Sequence, residues 1–122
     1  MDFKSPNLDI YSSPDLGMHV LYFKFKGKFS ESASVDGTRA WSEEMESSNN
    51  NYTFIWDCTD MSGFDPSARS EWYKSMKMYK SRISEVTIIS NNILIRGAAR
   101  VMMELFGIKA NIVRSIEDFH VQ

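Results

Sequence analysis

The sequence predicts an α/β fold: three helices packed on a mixed sheet of four to five strands, in the order β-β-α-β-α-β-α-β. Three observations carry this. Residues 19–29 alternate with a period of two, with Leu21, Phe23, Phe25 and Phe29 on one side and Lys24, Lys26 and Lys28 on the other, as in a strand with one wet face. After residue 30 the pattern changes to helical stripes that alternate with short apolar runs. The run at 53–56 is apolar on both faces, as a central strand covered by helices would be. Strands that alternate with helices pair in parallel through right-handed crossovers.

Each element has its own local reason. Residues 1–7 read as a loose arm, and a short strand is expected at 8–11. Ser13-Pro-Asp-Leu-Gly17 then supplies turn residues, so the first two strands form an antiparallel hairpin. Ser30 caps a helix over 31–46 with Val35, Thr38, Trp41 and Met45 on one face. Gly37 sits inside it, at a cost of ~1 kcal/mol relative to Ala. The Ser/Asn-rich stretch 47–51 is a loop.

The second helix opens with Asp65 as N-cap and Pro66 at the first helical position, where a missing N–H is harmless. Ala68, Trp72, Met76, Tyr79 and Ile83 form its core-facing stripe. A strand at 85–90 carries Val86, Ile88 and Ile89. The third helix, 93–106, ends at Gly107, a natural C′ residue. Its apolar arc is centred on Leu94, Ala98, Val101 and Leu105, flanked by Ile95, Ala99, Met102 and Phe106, and the Gly97-Ala98-Ala99 run allows close approach to the sheet. A last strand at 110–113 and a short turn at 116–119 complete a chain of one-domain size, 122 residues, without internal repeats.

Composition narrows the function classes. Hydrophobic residues at 43% and charged residues at 25% are ordinary for a globular chain and exclude disorder. The eight Met serve as core filler. A net charge of −2 offers no field for nucleic acid. No apolar run approaches the ~20 residues of a membrane-spanning helix, and the N-terminus lacks the order of a signal peptide. The single cysteine, Cys58, forms no internal disulfide and fits a reducing compartment, so a cytoplasmic location is expected.

The candidate site is the polar stretch 57–67, read as a strand-to-helix loop at the carboxyl edge of the sheet, where ligands and switches sit. It carries Asp57, Asp60 and Asp65 with Thr59, Ser62 and Ser67. Of these, Asp57, Asp60, Ser62 and Asp65 are the expected partner-binding groups. A hard cation needs several convergent oxygens, which one loop rarely supplies, so no metal and no cofactor are expected. The stretch resembles the phosphorylation loop of response-regulator receiver domains. That chemistry, however, needs an acidic pair after the first strand and a lysine after the last, and neither is present. Ser67 lies at a helix N-terminus, where a phosphate is stabilised by free N–H groups and the macrodipole.

His19 and His120 have no partner at metal-ligand spacing. Cys58 has no adjacent base and reads as a buried structural thiol. Lys74, Lys77, Lys80 and Arg82 on the second helix, and Arg96, Arg100 and Glu104 on the third, read as solvated faces. With no nucleophile elbow, phosphate-cradling glycine loop or paired carboxylates, no enzyme is expected.

Several segments together resemble the SpoIIAA-like branch of STAS domains over residues 8–119. They are the strand ending Trp56-Asp57, the Gly-Phe-Asp-Pro-Ser-Ala-Arg turn into a Trp-bearing helix, the Arg82-Ile-Ser-Glu-Val-Thr-Ile-Ile-Ser90 strand, and the Arg96-Gly-Ala-Ala-Arg100 helix ending Leu105-Phe-Gly. The resemblance implies a STAS-like α/β domain acting as a bacterial regulatory module that meets a protein partner. In the anti-sigma-factor antagonists, a serine in an Asp-Ser-Ser-Gly turn is phosphorylated to switch binding off. Here Asp65 and Ser67 match that turn, whereas Pro66 and Ala68 replace its first serine and its glycine. Related domains hold lipid-like molecules between helices and sheet, which implies as the alternative a small apolar ligand in a pocket lined by Trp41, Trp72, Met76, Met102 or Phe106. An exposed edge strand or helix face would also support a homo-oligomer.

Overall fold

The computed structural model describes residues 1–118 as one six-stranded sheet with three α-helices. In chain order the elements are β1 (Asp2–Phe3), β2 (Leu8–Ser12), β3 (Val20–Phe29), α1 (Glu31–Glu46), β4 (Tyr52–Phe64), α2 (Arg69–Tyr79), β5 (Ile83–Ile89), α3 (Ile93–Phe106) and β6 (Ala110–Val113). The strands lie side by side in that same order; β1, β2 and β3 run antiparallel, and β3 to β6 run parallel.

A sheet laid down in chain order by crossovers of one hand puts every helix on one face. The core bears this out: Ala33, Trp41 and Met45 of α1, Trp72, Met76 and Tyr79 of α2, and Ile95, Ala99 and Met103 of α3 all join the cluster with Phe23, Phe54, Trp56 and Ile88. The expectation that β4 is covered by helices on both faces is therefore corrected. Phe54 and Trp56 face the helices, but Ile55 points the other way and packs with Val20, Tyr22 and Ile89, beneath Tyr11, Leu16 and Val113.

The sheet has six strands rather than four to five because the N-terminal segment is not a loose arm. Asp2 and Phe3 pair with Tyr11 and Ile10, and the Met1 ammonium donates to Ser12 Oγ at 3.1 Å. That short strand shields the otherwise open edge of β2.

The helices start and stop where their capping residues sit. Ser30 Oγ accepts from the Ala33 N–H at 3.2 Å, and Asn92 Oδ1 accepts from Leu94 at 2.9 Å and Ile95 at 3.2 Å. Gly107 closes α3 in the left-handed conformation at φ 65°. Gly37 has a packing reason: a Cβ there would lie 2.5 Å from Leu8 Cδ2, so a larger residue would have to push the Leu8 side chain aside. Asp65 does not cap the second helix. A 3-10 turn at Pro66–Ala68 precedes α2, and the Asp65 carboxylate pairs with Lys28 at 2.8 Å instead. The stripe Ala68, Trp72, Met76, Tyr79 and Ile83 is buried throughout, with Ile83 as the first residue of β5. In α3 the buried line is Ile95, Ala99 and Met103, while Leu94, Val101 and Leu105, expected at the centre of the buried arc, face outward.

Candidate functional site

The stretch read as an acidic loop is mostly strand. Pairing between β4 and β5 ends at Asp57 and Ile89, but β3 and β4 stay paired out to Phe29 and Phe64. They form a two-stranded ribbon that outruns the sheet, with register shifts at Lys24/Lys26 and Gly27/Lys28. Cross-strand charge holds it together. Lys24 Nζ lies 3.3 Å from Asp57 and 3.0 Å from Asp60, and Lys28 Nζ lies 2.8 Å from Asp65, while Lys26 turns to Asp9 at 3.0 Å. The acids are thus spread along the ribbon, each matched to a lysine, and do not converge on one point. No group of three or more His, Cys, Asp or Glu among the described residues is placed to hold a metal ion.

Asp57 is the buried member. Its Oδ1 accepts from the Thr59 N–H at 3.0 Å and the Thr59 hydroxyl at 2.6 Å; its Oδ2 accepts from the Tyr22 hydroxyl and Lys24. Burial pushes this carboxyl up, but the hydrogen bonds from Thr59 and Tyr22 and the Lys24 charge outweigh it and hold it below the usual aspartate value. The same burial and the same bond push the Tyr22 phenol above its ordinary range. With its lone pairs spent on these donors, Asp57 anchors the root of the ribbon and is not presented to solvent as a phosphoacceptor.

Ser67 occupies the middle of the 3-10 turn and is exposed, as are Asp60 and Ser62 on the ribbon. The turn beneath Ser67 is fixed from both sides. Ala68 is buried and its carbonyl accepts from the Ser34 hydroxyl of α1, and Lys28 holds Asp65.

Beside this turn, between β4, α2 and α3, lies an apolar cavity of about 80 Å³. Trp56 and Cys58 form its floor, Trp72 and Met102 its helical walls, and Phe64 and Arg69 its rim, where the guanidinium sits 5.8 Å over the Phe64 ring. Trp56 is buried and its indole N–H has no hydrogen-bond partner among the described residues. Of the five residues expected to line a pocket, Trp72 and Met102 do so. Trp41 and Met76 are fully enclosed in the core, and Phe106 packs edge-on against Tyr73 at 5.5 Å. Sequence reasoning missed Trp56, Cys58, Phe64 and Arg69. For Trp56 and Cys58 the signal was parity: they follow Phe54 at intervals of two and so share its face.

Burial, then the nearby Asp57 charge, pushes the Cys58 thiol up to about 12, which leaves it un-ionised and unreactive at neutral pH. His19 sits in the turn before β3 at φ 59°, its ring edge-on to Tyr52 at 5.8 Å. His120 and Phe119 lie outside the described residues. No helix of the described residues is long and apolar enough to cross a membrane.

No family model and no curated protein matches the chain by sequence. Solved structures do match it. One is an uncharacterised protein of the DUF3478 family with a SpoIIAA-like fold from Shewanella loihica PV-4, at a TM-score of 0.70 and 20% identity, over 91% of this chain and 87% of that one. The chain has a SpoIIAA-like fold. A second match is the anti-sigma factor antagonist SpoIIAA in its unphosphorylated form, at a TM-score of 0.65 and 12% identity over 91% of each chain. At these identities the likeness to SpoIIAA extends to the fold and no further. The fold places Asp65, Pro66, Ser67 and Ala68 at the turn into α2.

Proposed function

We propose that this SpoIIAA-like chain is a non-enzymatic regulatory module that docks a protein partner on the ribbon, the 3-10 turn and the exposed side of α2, with Ser67 as an off-switch. Asp60, Ser62 and Asp65 belong to that surface, and Asp57 supports it from below. One observation carries the reading: Ser67 stands exposed on a turn whose base is locked by Ala68, Pro66 and the Lys28–Asp65 pair. A phosphate there would add about −1.5 to −2 charges to a pre-formed docking surface without disturbing the core. The test is quantitative affinity capture from the source cells with wild type, Ser67→Ala and Ser67→Asp as bait. A partner retained by wild type and Ser67→Ala but lost by Ser67→Asp is the expected result. Equal recovery by all three sinks the switch.

The cavity favours a second reading, a binder of a small apolar molecule. Its lining is apolar, which would suit a small molecule with an apolar body. Trp fluorescence should then shift with short-chain fatty acids in wild type and stop responding in Ala98→Phe, which fills the cavity from α3. A spectrum indifferent to every such compound removes this reading.

A further inference from the structure

Arg69 is the single charged side chain that lines the apolar cavity between β4, α2 and α3. It stands exposed at the rim, with its guanidinium 5.8 Å over the Phe64 ring. We infer that the cavity takes a short-chain carboxylic acid in its ionised form, with the hydrocarbon tail inside and the carboxylate held by Arg69 at the mouth. That ligand rests on the reading of the cavity as a small-molecule site, and gives it a head group and a length.

The head group follows from what Arg69 leaves unspent. A cation–π contact uses the charge but no hydrogen bond, so the five N–H donors of the guanidinium stay available. The two acids nearest to it in the chain are engaged elsewhere: Asp65 pairs with Lys28 at 2.8 Å, and Glu71 with Lys74 at 3.1 Å. No acid among the described residues pairs with Arg69. A carboxylate matches the guanidinium fork with two parallel bonds. Arg69 also opens α2, so the positive end of that helix dipole lies at the same rim. Cys58 on the floor stays un-ionised and brings no negative charge into the cavity.

The length follows from the volume. Ala68, Ala98 and Ala99 border the cavity where longer side chains would fill it, which leaves about 80 Å³. An apolar cavity of about 150 Å³ holds benzene, so half that volume encloses a tail of roughly three to four carbons. With the carboxyl carbon at the rim, the ligand is an acid of about four or five carbons, such as butanoate, isovalerate or pentanoate. Its tail leaves water among Trp56, Trp72 and Met102, while its head stays at the exposed rim. Affinity is therefore modest and falls with added salt.

The experiment is a titration of the full chain followed by tryptophan fluorescence, which Trp56 and Trp72 report from the cavity wall. Pentanoate, pentanol and pentylammonium offer one tail with three heads, and far-UV circular dichroism is the folding control. Pentanoate is expected to bind with a dissociation constant of ~1 mM, about 10-fold tighter than pentanol, with pentylammonium weakest. Arg69→Gln, at an exposed site, keeps the spectrum, brings pentanoate to the level of pentanol and leaves pentanol unchanged. Arg69→Lys restores part of the difference, and Ala98→Phe removes the response to both. Affinity should climb from propanoate to pentanoate and level off by octanoate. Equal binding of pentanoate and pentanol, or a pentanoate affinity that Arg69→Gln leaves intact, overturns the carboxylate assignment while the apolar reading of the cavity stands. Octanoate bound about 10-fold tighter than pentanoate overturns the length. No response to any of these ligands, or one that Ala98→Phe leaves intact, overturns the inference together with that reading.

Discussion

The two longest helices, α1 and α3, lie on the same face of the sheet and are seated on it in different ways. In α1 six residues are buried, including Gly37, Thr38 and Trp41, and the glycine lets the helix press directly onto Leu8. Trp41 then meets Phe54, Trp72 and Tyr79 edge-on, at ring distances of 5.5, 5.7 and 5.9 Å. In α3 only Ile95, Ala99 and Met103 are buried, although the helix is richer in apolar residues. A helix with little apolar surface must spend it all on the core, and its seating is unique. A helix that is apolar around most of its girth meets the core with one line and leaves a second facing solvent.

The largest effect should come from removing the centre of the α1 contact. Trp41→Ala is expected to destabilise the fold by about 3–5 kcal/mol, measured by urea unfolding, because it vacates a fully buried site against the rings of Phe54, Trp72 and Tyr79. A loss below ~1 kcal/mol would mean that α1 is no more firmly seated than α3. Next, Gly37→Val should cost about 2 kcal/mol, since its side chain would overlap that of Leu8, which is itself fully buried. An unchanged unfolding midpoint would show that α1 can slide off β2.

These particulars also show what was legible beforehand. The start of α1 and the end of α3 follow from Ser30 and Gly107, and the sides of β3 follow from its alternation, because both signals are local. The ribbon was not legible. Asp, Thr, Ser and Gly between 57 and 63 read as loop, and the lysines that make them a strand lie some thirty residues earlier, joined to them only by parallel pairing. The seating of α3 was hidden for the opposite reason. Two adjacent apolar arcs each satisfy the helical period, and only the position of the sheet decides that 95, 99 and 103 go in and 94, 101 and 105 stay out. The cavity, which needs three elements at once, left only the parity of Trp56 and Cys58 as a trace.

The uncovered side of the sheet sharpens the contrast, because there a polar contact does what helices do on the other side. Tyr22→Phe removes the donor to buried Asp57 and is expected to cost about 1–2 kcal/mol at neutral pH. Its pH dependence separates it from a packing loss. Asp57 is held below its ordinary value of 3.8, so between that value and the lower folded one the unfolded chain binds more protons. Stability from this group is then complete above 3.8 and is lost as pH falls through the folded value. Tyr22 is raised above 10.0, so the folded chain keeps a proton that the unfolded chain releases, and stability falls as pH rises beyond 10. Tyr22→Phe should shrink the acid limb and abolish this residue's share of the alkaline one. Parallel curves for wild type and variant would refute the Tyr22–Asp57 assignment.

The smallest effect on stability is expected where the side chain is largest in relation to what it touches. Leu94→Lys on α3 replaces a leucine that is 78% exposed, so little apolar surface returns to water when the monomer loses it. Leucine and lysine have nearly equal helix propensities, and the Asn92 cap binds the Leu94 backbone N–H, which the substitution keeps. The unfolding midpoint of dilute protein should therefore stay within ~0.5 kcal/mol of wild type. A core leucine of the same size would cost several times more, as Leu8 should under Leu8→Ala, at about 2–5 kcal/mol. If Leu94→Lys proved as damaging as Leu8→Ala, the outward stripe of α3 would be part of the core, and the difference between the two helices would disappear.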